Sequence, residues 1–283
     1  MKIINTVKRL RCALDEMRAA GNSIGFVPTM GALHEGHLSL VKQCAAESDV
    51  CIVSIFVNPA QFNDPKDLAS YPRTVEADCA MLESAGCSIV FVPAVEEIYP
   101  APDLREFDLG SLVEVMEGRF RPGHFQGVAK VVSRLFDIVG PCRAYFGLKD
   151  FQQLAVIRRL VDRLGMSVGI VACPIVREAD GLAMSSRNMR LSAEERAAAP
   201  EIFRALRHSR ELAPSSSLAD VVAFVGAALA SEPLLRLEYF EIVHPVTLMP
   251  LRAWSDSDEA GAVGCIAVYC GEVRLIDNIT YRN

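Results

Sequence analysis

Pro28-Thr29-Met30-Gly31-Ala32-Leu33-His34-Glu35-Gly36-His37-Leu38 decides how the rest of this chain is read. The apolar run Ile24 to Val27 enters it and predicts a buried strand. Behind it Leu38, Leu40, Val41 and Cys44 recur at helical spacing. A strand that ends in a glycine-containing turn and opens a helix is where α/β proteins bind phosphates, because the first helical N–H groups lack partners and the dipole favours anions. Gly31 and Gly36 let backbone approach a ligand closely.

The standard phosphate loops do not fit. Gly31 and Gly36 are spaced as at the start of a P-loop, but His37-Leu38 stands where Lys-Ser/Thr is required, and G-x-G-x-x-G is absent. What remains is His34 and His37, three residues apart at a helix start and so on one face. Near a positive dipole end imidazole tends to stay neutral, yet each ring donates to a phosphate oxygen and gains charge as negative charge builds. A zinc pair and a plain helix-start pair are the other readings. The zinc motif H-E-x-x-H needs two residues between Glu and the second His, and here there is one.

Proceeding outward, 283 residues predict one large domain or two smaller ones, and 51% hydrophobic content suffices for a sizeable core. A net charge of −6 argues against a broad nucleic-acid footprint but leaves room for a local basic site that holds a small anion. The nine cysteines are scattered through apolar runs with no C-x-x-C. They read as reduced core residues of a cytoplasmic protein rather than a disulfide framework or zinc site. Met1 to Leu14 has mixed charge and no apolar h-region, so no signal peptide is expected. The longest apolar stretch, Val50 to Val57, is too short to span a bilayer, and no membrane partner is expected.

Apolar runs at Ile24 to Val27, Val50 to Val57, Ile89 to Val92, Ala144 to Phe146 and Val168 to Ala172 alternate with helical segments at Val7 to Ala20, Thr74 to Ala85, Val128 to Val139 and Phe151 to Leu164. This pattern predicts an α/β fold, a parallel sheet with helices on both faces and ligands beyond the carboxyl ends of its strands. After Pro174 the texture changes. Helices over 193–212 and 218–230 precede alternating strands at Leu237 to Val243, Val263 to Tyr269 and Val273 to Ile276, the last two joined as a hairpin. A smaller α+β domain therefore follows a boundary near 175–185.

Other residues of chemical interest fall in turns. Lys149 and Asp150 follow Gly147 at a strand-to-helix turn, the structural counterpart of the histidine turn. Lys149 suits phosphate oxygens, while Asp150 reads equally as a ribose or phosphate contact or as a helix cap with Gln153 three residues on. Met184-Ser185-Ser186-Arg187 sets two hydroxyls beside one permanent cation, which suits a phosphate chain, although Ser185-Ser186 also reads as linker. Asn58, Gln61 and Gln153 are uncharged amides suited to a hydroxy acid whose carboxylate must react, or else ordinary loop polars. Asp78 lies on the apolar face of its helix with Val75, Cys79 and Leu82. It needs a partner there, Mg²⁺ or an arginine.

With these residues assembled, the chain resembles the pantothenate synthetase (pantoate–β-alanine ligase) family nearly end to end. The resemblance lies in PTMGALHEGHLSL, IFVNPAQF, YPRT, GRFRPGHFQGV, FGLKDFQQL, VREADGLAMSSRN and the closing RLIDN, with no departure at a position expected to be functional. It implies a Rossmann-like fold of the class I aminoacyl-tRNA-synthetase-like nucleotidyltransferase superfamily, with a HIGH-type signature at His34 to His37 and a KMSKS-like one at Met184 to Arg187. It implies a catalytic domain over 1–178 that binds ATP and pantoate, a C-terminal lid domain over 179–283, a homodimer and Mg²⁺ dependence. The implied reaction joins (R)-pantoate to β-alanine through pantoyl adenylate and releases AMP and pyrophosphate.

By the same resemblance His37, His34, Lys149 and Arg187 are catalytic. Met30, Gly31, Gly147, Asp150, Val176, Met184, Ser185 and Ser186 join them at ATP, Gln61, Gln153 and Asn58 hold pantoate, Gln61 also meets β-alanine, and Asp78 is offered to Mg²⁺. The alternatives are another HIGH-type nucleotidyltransferase, which would want more basic residues at the acceptor site than Asn58, Gln61 and Gln153 supply, and a nucleotide-sensing protein without catalysis.

Overall fold

The computed structural model describes residues 1–59 and 71–282. These divide into two compact units. The first comprises Met1–Gly110, Phe120–Leu148 and Gln153–Pro174, and the second comprises Ser111–Arg119, Lys149–Gln152 and Ile175–Asn283.

The first unit is built on a parallel sheet of β1 (Lys2–Ile4), β2 (Ile24–Thr29), β3 (Val50–Ile55), β4 (Ile89–Phe91), β5 (Cys142–Gly147) and β6 (Val168–Cys173), in spatial order β1-β4-β3-β2-β5-β6. Every residue of β3 is buried, as expected of a strand covered on both faces. Between these strands in the chain run α1 (Val7–Ala19), α2 (Glu35–Glu47), α3 (Val75–Ser84), α4 (Val95–Ile98), α5 (Met116–Phe120), α6 (His124–Val139) and α7 (Phe151–Leu164). Val27, Val53 and Val90 share a core cluster with Leu38, Val41 and Cys44 of α2 and Leu82 of α3. On α6, Phe136 meets Phe26 and Phe146 edge-on at 6.3 and 6.4 Å. Gly25 marks where α2 comes closest to the sheet, since a Cβ there would lie 2.4 Å from Cys44 Sγ.

Strand order reverses direction between β2 and β5, and the two pair only at Gly25↔Arg143 and Phe26↔Ala144. Pro28, which has no N–H to give, is therefore tolerated in a central strand because β5 makes no ladder beside it. Such a switch point, beyond the carboxyl ends of the strands, is where open α/β sheets bind ligands. The turn after β2 is the histidine turn.

The second unit contains α8 (Ala193–Ala198), α9 (Glu201–Leu212) and α10 (Leu218–Ala230) with an antiparallel sheet of β7 (Leu235–Val243), β8 (Ala262–Cys270) and β9 (Val273–Arg282) in that order. Its core joins Ile202 and Leu206 of α9 and Val221 and Val225 of α10 to Phe240, Ile266 and Val268. Ser192 starts α8 with a reciprocal capping box to Glu195. The helix expected over 193–212 is two helices, because Pro200 cannot donate to the preceding turn and α9 restarts from it. β9 runs six residues past Ile276, its expected end.

β1 is an addition to the expected elements. It spans three residues at a sheet edge, too few to show a period. All nine cysteines are unbridged thiols, seven of them buried. Among the described residues no helix is long and apolar enough to cross a membrane.

Candidate active site

In the first unit the turn after β2 is held by hydrogen bonds that begin on the strand. Thr29 Oγ1 donates to the Ser54 carbonyl at 2.7 Å and accepts from the Gly31 amide at 3.2 Å. Gly31 has φ +81° and Ala32 φ +50°, so two consecutive residues are left-handed and the second carries a Cβ. Asp78 holds this turn in place. Its carboxylate, 1% exposed, accepts from the Ala32 amide at 3.0 Å, the Leu33 amide at 2.8 Å and the Thr74 hydroxyl at 3.2 Å. The partner that Asp78 requires is therefore backbone and a hydroxyl, not an arginine.

α2 starts one residue after His34, which is itself the N-cap. Its Nδ1 accepts from the Gly36 amide at 3.1 Å. An acceptor Nδ1 carries no proton, so this bond selects the neutral tautomer with its hydrogen on Nε2, an assignment inferred from the bonding pattern. The His37 amide donates to the His34 carbonyl at 2.8 Å, and the two half-buried rings lie 4.1 Å apart at 37°. The expected pairing of rings on one face is present, at the positive end of a 13-residue helix. Met30, half-buried, immediately precedes the left-handed residues.

Asn58 is fully buried. Its Nδ2 donates to the Gly127 carbonyl at 3.3 Å and its Oδ1 accepts from Tyr99 at 3.2 Å. Burial pushes the Tyr99 phenol up to about 12, so it remains a donor at any ordinary pH. Gln153 is half-buried on α7, and Gly147 ends β5. Gln61 lies outside the described residues.

The second unit contains a shallow cleft whose polar lining, among the described residues, includes Lys149, Ser185, Arg187, Asn188, Arg274 and Asp277. Lys149 and Asp150 end a short 3₁₀ turn, Leu148–Asp150, that leads into α7. The Lys149 ammonium is 3.6 Å from Asp150 Oδ1, with its side chain 17% exposed. Val176 and Met184 belong to a backbone hairpin in which the Met184 amide donates to the Val176 carbonyl at 3.0 Å. Ser185 caps the next turn, its Oγ accepting from the Arg187 amide at 3.2 Å, and Ser186 begins that turn. Three residues set apart from sequence for a phosphate chain, Lys149, Ser185 and Arg187, thus line one cavity across 38 positions of chain.

Asn188, Arg274 and Asp277 were not anticipated as lining. Asn188 Nδ2 donates to the Ala183 carbonyl at 3.1 Å. Arg274 is clamped by Glu117 at 2.6 and 2.8 Å and by Glu238 at 2.9 Å, and Tyr239 donates to Glu117 at 2.9 Å. Asp277 accepts both arms of Arg177 at 2.6 and 3.0 Å. Burial pushes its carboxyl up, while Arg177 and the Lys149 charge oppose that shift. The available signal was an Arg and an Asp-Asn pair inside an otherwise apolar strand, since a polar group kept in a core position has a partner.

Among the described residues no group of three or more His, Cys, Asp or Glu side chains is arranged to hold a metal. Asp78, with two amides and a hydroxyl already on its oxygens, does not fit a magnesium ligand.

Comparison with known proteins agrees with this architecture throughout. The family model described as pantoate-beta-alanine ligase matches residues 2–280. A pantothenate synthetase of Porphyromonas gingivalis is 59% identical over 283 residues, covering 100% of both chains. Among solved structures, pantothenate synthetase from Thermus thermophilus superposes with a TM-score of 0.92 at 47% identity over 100% of both chains. Pantoate-beta-alanine ligase from Francisella tularensis, complexed with beta-gamma ATP and beta-alanine, superposes with a TM-score of 0.82 at 35% identity over 99% of this chain and 98% of that one. With a full-length family match, a parallel sheet carrying the histidine turn at its switch point and these relatives in agreement, the chain belongs to the pantoate–beta-alanine ligase family.

Proposed function

We propose that this chain joins (R)-pantoate to β-alanine at the expense of ATP by way of pantoyl adenylate. The observation that carries the reading is the second-unit cleft, which Lys149, Ser185 and Arg187 line together. That donor set suits a polyphosphate, and the Francisella tularensis relative binds beta-gamma ATP and beta-alanine.

A carboxylate is a poor electrophile, so it is first made into one. A pantoate carboxylate oxygen attacks the α-phosphorus of ATP, the bond to the bridging oxygen breaks, and pyrophosphate leaves with the electron pair. The protein's part is to position the reactants and to meet the charge that grows on phosphate oxygens. In this reading His34 and His37 donate to the nucleotide phosphates, with His37 weighted towards the transition state. His34 is preset for the task, because the Gly36 amide on Nδ1 leaves the ring's hydrogen on Nε2. Lys149, Ser185, Ser186 and Arg187 hold the β and γ phosphates. Met30, Gly31, Gly147, Asp150, Val176 and Met184 frame the nucleotide with backbone. Gln61, Gln153 and Asn58 hold pantoate, Asn58 through an amide that Gly127 and Tyr99 fix in orientation.

The neutral amine of β-alanine then attacks the acyl carbon, AMP leaves with its electron pair, and the amine proton passes to solvent. Gln61 serves this step beside pantoate. Mg²⁺ accompanies ATP on its phosphate oxygens. The reading includes a cytoplasmic homodimer.

The test is a two-stage incubation. With ATP, Mg²⁺ and pantoate, pyrophosphate forms to about one equivalent per site, and AMP turns over only when β-alanine is added. Pyrophosphate formation without pantoate, or its absence altogether, contradicts the reading.

A further inference from the structure

Lys149 is held by a device that lies 129 positions away in the chain. Its carbonyl accepts a hydrogen bond from Asn278 Nδ2 at 3.0 Å. Asn278 sits within β9, opposite Cys265 of β8, and is 6% exposed. Its neighbour Asp277, 5% exposed, accepts from the Asn278 amide at 2.8 Å and is gripped by Arg177 through both arms. Arg177 in turn donates to the Gly181 carbonyl at 3.1 Å, and its guanidinium lies 3.7 Å from the centre of the Phe203 ring on α9. Gly181 admits that ring only because it lacks a side chain, since a Cβ there would fall 2.4 Å from Phe203.

A strand residue that served only the core would be apolar. A buried carboxamide or ion pair contributes little to stability beyond an apolar replacement of similar size, yet it fixes its partners' geometry closely. Here the group fixed is the backbone of the cleft lysine, Lys149. A lysine ammonium sits on a flexible four-carbon stem, so its position depends on where its backbone is anchored. At the other end of the stem Asp150 lies 3.6 Å from the ammonium.

We infer that Asn278, braced by the Arg177–Asp277 pair, is a positioning residue that sets Lys149 in the cleft for the triphosphate-dependent half of the reaction. This inference rests on the nucleotide reading above, in which Lys149 meets β and γ phosphate oxygens. Asn278 touches no reacting atom. It acts on the reaction by holding the Lys149 carbonyl, so its loss falls on adenylation rather than on the aminolysis that follows, where no triphosphate is present.

The experiment compares Asn278→Ala, Asn278→Asp, Lys149→Ala and the double variant Asn278→Ala/Lys149→Ala with the unaltered protein. Asn278→Asp keeps size and burial but replaces the donor by an acceptor, and so remains informative if the alanine variant folds poorly. Two rates are read, pantoate-dependent pyrophosphate formation and β-alanine aminolysis of supplied pantoyl adenylate, with KM for ATP from the first. Both Asn278 variants lower pyrophosphate formation about tenfold, the order of one hydrogen bond. They also raise KM for ATP and leave aminolysis within about twofold of the unaltered rate, while the double variant is no slower than Lys149→Ala alone. Unchanged pyrophosphate formation in both Asn278 variants, an equal fall in both rates, or a full further loss in the double variant overturns the inference. Failure of the nucleotide reading is recognised separately, by a Lys149→Ala protein that forms pyrophosphate normally, and it removes the inference as well.

Discussion

Asp78 holds the histidine turn with a single carboxylate. Two of its donors are amides of the left-handed stretch and its successor, and the third is the Thr74 hydroxyl. Asp78→Asn keeps the shape but turns one oxygen into an NH₂ that faces an N–H, leaving a buried donor unpaired at a cost of about 1–3 kcal/mol. The expected outcome is a lower urea midpoint with an unchanged slope, together with slower pyrophosphate formation. A variant as stable as the unaltered protein contradicts the brace. At this scale the sequence was legible where neighbours decide the geometry. The spacing of His34 and His37 alone pairs their rings, and Gly31 alone marks a glycine-containing turn. It was silent where the partner is distant backbone. Asp78 plainly needs a partner on its apolar face, but nothing in its surroundings names amides 45 and 46 positions away.

Helices and strands follow the same division. The continuous apolar run Val50–Ile55 and the amphipathic period of Phe151–Leu164 are local signals and were recognisable. The break before α9 falls at Pro200 inside a helical pattern that runs on both sides of it, and β1 exists only because β4 offers it a ladder. The segment Ser111–Arg119 shows how tertiary bonds replace periodicity. Gln152 donates to the Leu112 and Val115 carbonyls at 2.7 and 2.9 Å and accepts from the Glu117 amide at 2.9 Å, and Arg274 clamps Glu117 from the far end of the chain. Burial drives the Tyr239 phenol beside Glu117 well above its ordinary value, so its hydroxyl stays a donor. Arg274→Met therefore leaves the buried Glu117 and the half-buried Glu238 without their cation. We expect a loss of about 3–5 kcal/mol in denaturant titration, and a loss below about 1 kcal/mol contradicts the clamp.

For the molecule as a whole, the alternation of apolar runs and helices was enough to foresee the parallel sheet. That 111–119 and 149–152 pack with the chain beyond 175 depends on contacts spanning more than a hundred residues, which no local pattern encodes. Acid should destabilise the molecule through both units. Asp103 is held below its ordinary 3.8 chiefly by hydrogen bonding to Arg105, and Asp180 likewise by Arg196. A carboxyl depressed in the folded state contributes stability that is present above the unfolded value and lost as pH falls through the folded one. Both pairs are partly exposed, so each contributes modestly. The thermal midpoint should stay flat from pH 7 to about 5 and fall below about 4. A midpoint that rises on acidification contradicts these assignments.

The central claim is that pantoate is activated by direct attack of its carboxylate on the α-phosphorus. Turnover with pantoate labelled with ¹⁸O in both carboxylate oxygens, followed by mass spectrometry of the products, tests this most directly. The account predicts one ¹⁸O in AMP, one in the amide carbonyl of the product and none in pyrophosphate. Unlabelled AMP, or label in the released phosphates, contradicts it.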